Sequence, residues 1–244
     1  MTTDGTPTPA ALLPALRTSV ELLLASATAL GDGDVRAPSL LEGWSRAHVL
    51  THVARSADSR CRLLAAARTG ADVPQYADEA HREREIEAGA DRPAAELAKD
   101  LGTALHRFLE AAADHPEDAW DVPVRWLGGG LRPVRGAVGS MLREVEVHHT
   151  DLRTGHLPAD WPPSFVAREL TATAAELGGR VDAPGLVLHA EDGGAPPYRT
   201  GDGNGPRVMG RQADLLGWLT GRTAGEGLKV DPPGPLPAVP AWRS

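Results

Sequence analysis

From Pro9 to Leu30 the apolar residues Leu12, Leu13, Leu16, Val20, Leu23 and Leu24 recur at three- and four-residue steps, which predicts a core-facing helix. A second helical stretch is expected from about Ser45 to Arg68. Gly70 ends it, Val49, Val53, Cys61 and Leu64 are its expected buried members, and His48 and His52 sit on it one turn apart. The segment Asp78 to Ala88 is charged and reads as a surface helix. Pro93, suited to a first helical turn, then opens a third long helix through Leu97, Leu101, Leu105 and Leu109. After Pro116 the pattern fails, and the triglycine at Gly128, Gly129 and Gly130 is expected to be a flexible connector. A fourth long helix follows from about Val134 to Arg153, with Gly155 as its terminator. Four long helices within residues 1–155 predict a bundle.

Beyond Trp161 the texture changes. One more helix is expected near Phe165 to Leu177, followed by a β-like run at Leu186, Val187 and Leu188 and a Gly/Pro-rich stretch through Gly205. Val208 and Met209 read as the end of a strand, Arg211 to Leu219 as the last helix, and Gly221 as its stop. The proline-rich tail from Pro232 should run extended. The expected fold class is therefore α+β, a four-helix bundle over 1–155 followed by a small C-terminal α/β domain over 156–244.

A composition of 41% hydrophobic and 24% charged residues is that of an ordinary globular chain, and the net charge of −8 argues against a phosphate-tracking surface. A small-molecule ligand is expected instead, with no nucleic acid partner. The single cysteine, Cys61, cannot form an internal disulfide and lacks the CxxC companion of a thiolate zinc or redox site, which fits a reducing compartment. No basic region precedes the first apolar residues and no uninterrupted apolar run reaches the ~18 residues of a membrane span. A cytoplasmic protein without a membrane partner is expected, and with no heptad seam a monomer.

Candidate chemistry gathers on two helices. Glu144 and His148 stand four residues apart, so both side chains leave one face and can grip one ion, and His52 offers a further nitrogen. Two imidazoles and a carboxylate leave coordination positions open, as a catalytic zinc site requires, although nickel or iron would accept the same ligands. Spacing alone is weak evidence, because a Glu and a His at i,i+4 are more often a solvated helix pair. His48, Glu146, His149 and Asp151 could replace these ligands or orient them.

The stretch from Pro38 to Asp58, ending in His-Val-Leu-Thr-His-Val-Ala-Arg-Ser-Ala-Asp, resembles the second-helix signature of the mycothiol-dependent maleylpyruvate isomerases, members of the DinB-like bundle superfamily. Arg143-Glu-Val-Glu-Val-His-His-Thr-Asp-Leu152 is similar to the family's fourth-helix motif. Further agreement comes from Tyr76 to Ala90 with Arg92, and from Leu215-Leu-Gly-Trp-Leu-Thr-Gly-Arg222. The resemblance implies a DinB-like bundle with a sterol-carrier-like second domain, and a Zn2+ or other divalent metal held by His52, Glu144 and His148. It implies mycothiol as thiol cofactor, and a role for Arg222 in catalysis and in holding the cofactor or substrate carboxylates. Two departures, Ser56 in place of an asparagine and Glu42 in place of a proline, point to a changed pocket.

The activity so implied is cis-trans isomerisation of maleylpyruvate to fumarylpyruvate, as in gentisate-type aromatic degradation. A thiolate adds to the conjugated olefin, the resulting single bond rotates, and the thiolate departs. Cys61 is not expected to be the nucleophile, since the family takes its thiol from the cofactor. Trp44 and Trp218 read first as buried packing residues. The nearest rival activity is a mycothiol S-transferase that adds the thiol to another electrophile and leaves it there. A non-catalytic zinc-binding regulator of the anti-sigma kind would need His-x-x-x-Cys-x-x-Cys, which is absent. A lipid-carrier module would need an apolar tunnel that the polar, glycine-rich residues 183–223 do not suggest.

Overall fold

The structure, a computed structural model, describes residues 7–76, 78–128, 130–194 and 196–242. The chain divides into two compact units, the first ending at Thr154 and the second starting at Gly155. Among the described residues the first unit has four long helices: α1 (Pro9–Thr28), α3 (Arg46–Thr69), α5 (Ala94–Ala113) and α6 (Gly136–Asp151). Shorter helices α2 (Asp32–Arg36) and α4 (Glu79–Ala90) lie between them in sequence. Helix α3 packs on α5 and α6, and α1 packs on the same two, which closes a four-helix bundle.

Local chemistry sets the helix ends. The Ser45 hydroxyl accepts from the His48 amide at the start of α3, and Gly70, at φ 70°, ends it in the left-handed conformation that only glycine adopts without cost. Asp78 caps α4 by accepting from the His81 amide. Pro93 stands at the N-cap of α5, one position outside the expected first turn, with ψ 153°. Helix α6 stops before Gly155: Arg153 already takes φ 54°, and the side chain of Arg46 turns to the freed carbonyls, its Nε donating to Leu152 O at 2.6 Å and its Nη2 to Arg153 O at 3.2 Å.

Burial follows the expected stripes. Leu16, Val20 and Leu23 of α1, Val49, Val53 and Leu64 of α3, and Leu97, Leu101, Leu105 and Leu109 of α5 are buried, with Phe108 fully enclosed. By length and composition α1 is apolar enough to cross a membrane, although its sequence is interrupted by polar residues; here its apolar stripe faces α5 and α6. Cys61, expected in the core, is only half-buried.

Between α5 and α6 the structure has a hairpin, β1 (Pro123–Arg125) against β2 (Leu131–Pro133), where a connector was expected. Gly128, at φ 86°, lies in its turn, while Gly129 lies outside the described residues. The Trp126 amide donates to Gly130 O and its indole to Arg132 O, so the turn is tied at both sides.

In the second unit α7 (Pro163–Gly178) and α8 (Gln212–Leu219) pack on each other and on a four-stranded sheet of order β4-β3-β5-β6. The strands are β3 (Leu186–Ala190), β4 (Tyr198–Thr200), β5 (Arg207–Gly210) and β6 (Lys229–Asp231). β3 and β5 run parallel, and the outer strands pair antiparallel. Alternate residues Leu186, Leu188 and Ala190 of β3 are buried, as a strand with one covered face requires. The tail from Pro232 to Trp242 carries no helix or strand.

Candidate metal centre

His52, Ser56 and Arg60 follow one another at four-residue steps on α3, and Ser140, Glu144 and His148 do the same on α6. A step of four keeps side chains on one face, so two packed helices set these six residues opposite each other. His52 Nε2 lies 3.0 Å from Glu144 Oε2 and 3.0 Å from His148 Nε2, and the Glu144 and His148 atoms are 3.4 Å apart. Ser56 Oγ donates to Glu144 Oε2 at 3.3 Å. Arg60 Nη2 donates to Glu144 Oε1 at 2.7 Å and to Ser140 Oγ at 2.8 Å. All three candidate ligands are buried.

The residues around them orient this set. His148 Nδ1 lies 2.8 Å from Asp151 Oδ2; a carboxylate accepts, so Nδ1 carries a proton, and Nε2 is the ring atom that faces Glu144 and His52. Arg60 takes one carboxylate oxygen of Glu144 and leaves the other turned toward the two imidazoles. Burial pushes the Glu144 pKa up, but the Arg60 guanidinium and the hydrogen bonds to His148 and His52 outweigh it and hold the carboxyl well below its usual range. Burial lowers the His52 pKa to about 4, against the opposing pull of Glu144, so the ring is neutral at neutral pH. His148 goes the other way: burial would lower it, and the hydrogen bonds to Asp151 and Glu144 raise it.

The other polar residues of these helices have separate partners. His48 Nδ1 accepts from the Ser45 amide at 3.2 Å, and its Nε2 faces Glu87 at 3.3 Å, so it belongs to the helix cap. On the α1 side of α6, Glu146 accepts from the Ser19 hydroxyl and His149 Nε2 lies 2.8 Å from Ser26 Oγ. Of the residues that could have replaced the ligands, Asp151 is the one that orients them. Trp44 is half-buried and not a core residue: its ring centroid is 5.4 Å from that of His52 and it forms a wall of the site. Trp218 is buried within the second unit. Glu42 is exposed, whereas Ser56 touches the Glu144 carboxylate, so of the two sequence departures only Ser56 alters the set.

Arg222 lies in the second unit, half-buried, with Nη1 donating to Thr220 O at 2.6 Å and its guanidinium 4.9 Å from the Trp242 ring. Two further cations were not singled out from sequence. Arg60 could have been found by extending the four-residue step from His52. Arg82 of α4 offered no such signal, yet its Nη2 is 3.1 Å from His52 Nδ1.

The donor set suits a divalent ion of the zinc type. One ligand atom from each of His52, Glu144 and His148 falls within 4.8 Å of the other two, and two imidazole nitrogens with one carboxylate oxygen leave further coordination positions for a ligand. Asp151→Asn weakens the acceptor that fixes the His148 tautomer. It is expected to lower metal affinity about 10- to 100-fold, read by competition with a chromophoric chelator.

Comparison with known proteins agrees with this geometry. Residues 16–153 match the family model of the mycothiol maleylpyruvate isomerase N-terminal domain, and residues 160–241 match that of the MDMPI C-terminal domain, the abbreviation denoting the same isomerase. Two solved structures are similar over the full length. The crystal structure of the mycothiol-dependent maleylpyruvate isomerase superposes with a TM-score of 0.91 at 25% identity, covering 99% of this chain and 100% of that one. The H52A mutant of that enzyme superposes with a TM-score of 0.90 at 25% identity and the same coverage. No curated protein matches the sequence.

Proposed function

We propose, from the premise that this chain belongs to the mycothiol maleylpyruvate isomerase family, that it is a thiol-dependent cis-trans isomerase acting on maleylpyruvate at a metal held by His52, Glu144 and His148. The observation that carries the reading is the buried convergence of those three side chains, with Asp151 behind His148 and Arg60 behind Glu144. When bound, the metal supplies the positive charge that keeps a coordinated thiol ionised near neutral pH, and the thiol is the reversible nucleophile the isomerisation needs.

The chain's own residues provide the setting for that chemistry. Asp151 and Arg60 fix the direction of one ligand atom each, so the donors are preorganised. Trp44 packs its ring beside that of His52. Arg222 is proposed to bind a carboxylate of the substrate or thiol cofactor, since an always-charged planar donor suits such a group. Arg222→Ala is expected to raise KM more than it lowers kcat.

Cys61 has no part in this chemistry. Burial, then the neighbouring Asp58, push its thiol up to about 11, so it is almost wholly protonated at neutral pH. Cys61→Ala is expected to keep full turnover, and the wild-type thiol to be alkylated slowly at pH 8 and faster as pH approaches 11, measured by iodoacetamide labelling.

The test is absorbance-monitored conversion of maleylpyruvate by the zinc-loaded protein, with and without mycothiol, beside His52→Ala. Turnover that needs the thiol and is lost in the variant supports the isomerase. A stable thiol adduct of another electrophile, with maleylpyruvate untouched, replaces it with the S-transferase reading. Failure to bind zinc or thiol removes both.

A further inference from the structure

Helix α8 ends in a closed turn that fixes the backbone of Arg222. Thr220 caps the helix and Gly221 follows in the left-handed conformation at φ 73°. The amides of Gly221 and Arg222 then donate back to Trp218 O at 3.0 Å and Gly217 O at 2.7 Å, the paired closure of a glycine-terminated helix. The side chain folds over the same turn, with Nη1 donating to Thr220 O at 2.6 Å. A hydrogen bond to one nitrogen still allows the guanidinium plane to tilt about it.

The end of the chain supplies a second constraint. Residues 232–242 carry no helix or strand, yet they are pinned to the second unit. Gly225, at φ 86°, leaves no room for a Cβ against Leu236 Cδ1. Arg180, paired through two hydrogen bonds with Asp182 at 2.9 and 2.7 Å, donates from Nη1 to Ala241 O at 2.9 Å. Trp242 is thereby set with its ring centroid 4.9 Å from the guanidinium carbon of Arg222. Five prolines between positions 232 and 240 restrict the φ angles of this segment, so docking it costs less chain entropy than a flexible tail would.

An aromatic ring against the face of a guanidinium leaves the N–H donors in place, because they lie in the plane of the group. The stack orients an arginine without consuming the edge by which it would grip a carboxylate. We propose that Trp242 is a positioning residue for Arg222: its ring holds the guanidinium at the tilt in which its edge meets a carboxylate of the substrate or thiol cofactor. This rests on the reading of Arg222 as the carboxylate anchor. Trp242 touches no ligand in this scheme and acts on affinity through Arg222.

The test uses the full, zinc-loaded chain, with mycothiol and maleylpyruvate each titrated alone by calorimetry, so that neither is consumed and dissociation constants are read without turnover. Arg222→Ala is expected to weaken the ligand whose carboxylate it holds by about 10- to 100-fold. Trp242→Ala is expected to weaken the same ligand by about 3- to 5-fold, the scale of an exposed cation–π contact, and in the assay to raise its KM with little change in kcat. Trp242→Phe keeps a π face and is expected to bind nearly as wild type. Trp242→Leu keeps apolar bulk without that face and is expected to lose as much as Ala. In the Arg222→Ala background, Trp242→Ala is expected to change nothing further. Wild-type affinity in Trp242→Ala or Trp242→Leu, or an equal loss with and without Arg222, overturns the proposal, the latter by showing that the ring only props the tail. Wild-type affinity for both ligands in Arg222→Ala is a different result: it overturns the anchor reading and the role of Trp242 with it.

Discussion

Glu144→Gln is expected to abolish zinc retention and to lower folding stability by about 3–5 kcal/mol, the larger part of which comes from its partner. Arg60 is buried, donates to the Glu144 carboxylate at 2.7 Å, and has a buried Nε with no hydrogen bond among the described residues. Neutralising Glu144 leaves that guanidinium charge enclosed with no counter-charge, which is the costly way to break a buried ion pair. Arg60→Met added to Glu144→Gln removes the stranded charge, so the double variant is expected to recover most of the stability while still failing to hold zinc. Urea denaturation and chelator competition read the two effects separately. Parallel recovery of both would mean that Arg60, and not Glu144, decides metal binding.

Phe108→Ala is the largest effect expected away from the site. Phe108 is 0% exposed on α5, the helix that packs against both α1 and α3. Removing its ring opens a cavity in the bundle and is expected to cost about 3–5 kcal/mol. Leu131→Ala, at 62% exposure on the hairpin, is the contrast and is expected to stay within about 0.5 kcal/mol. A urea midpoint unmoved by Phe108→Ala would mean that the bundle core is not where its leucine pattern and burial put it.

How much of this could be read from the chain depends on element length. Helices α1, α3 and α5 each show several turns of apolar repetition, and α3 is bracketed by Ser45 and Gly70. Helix α2, of five residues, buries only Val35, and a single apolar position has no period. The strands of the hairpin, and β4 and β6, have three residues each, too few to show alternation, and they sit among glycines and prolines that read as loop. In the site, Glu144 and His148 were legible because one helix fixes their spacing. Of the partners from other helices only His52 was named, through the resemblance; Arg60 and Arg82 were not, because a four-residue ladder on α3 says nothing about which helix it will face, and Arg82 reaches His52 through packing of α4 that only the fold determines.

Residues 144 to 151 of α6 are all buried although five of the eight are charged or imidazole-bearing. One side of this run meets α3 and the other hydrogen-bonds Ser19 and Ser26 of α1. A stretch that reads as hydrophilic is therefore part of the bundle interior. A saturation-mutagenesis library scored for function should show this stretch as depleted of substitutions as the leucines of α5. Any scheme that chooses positions for solubility engineering by hydropathy alone would select here the side chains the protein can least exchange.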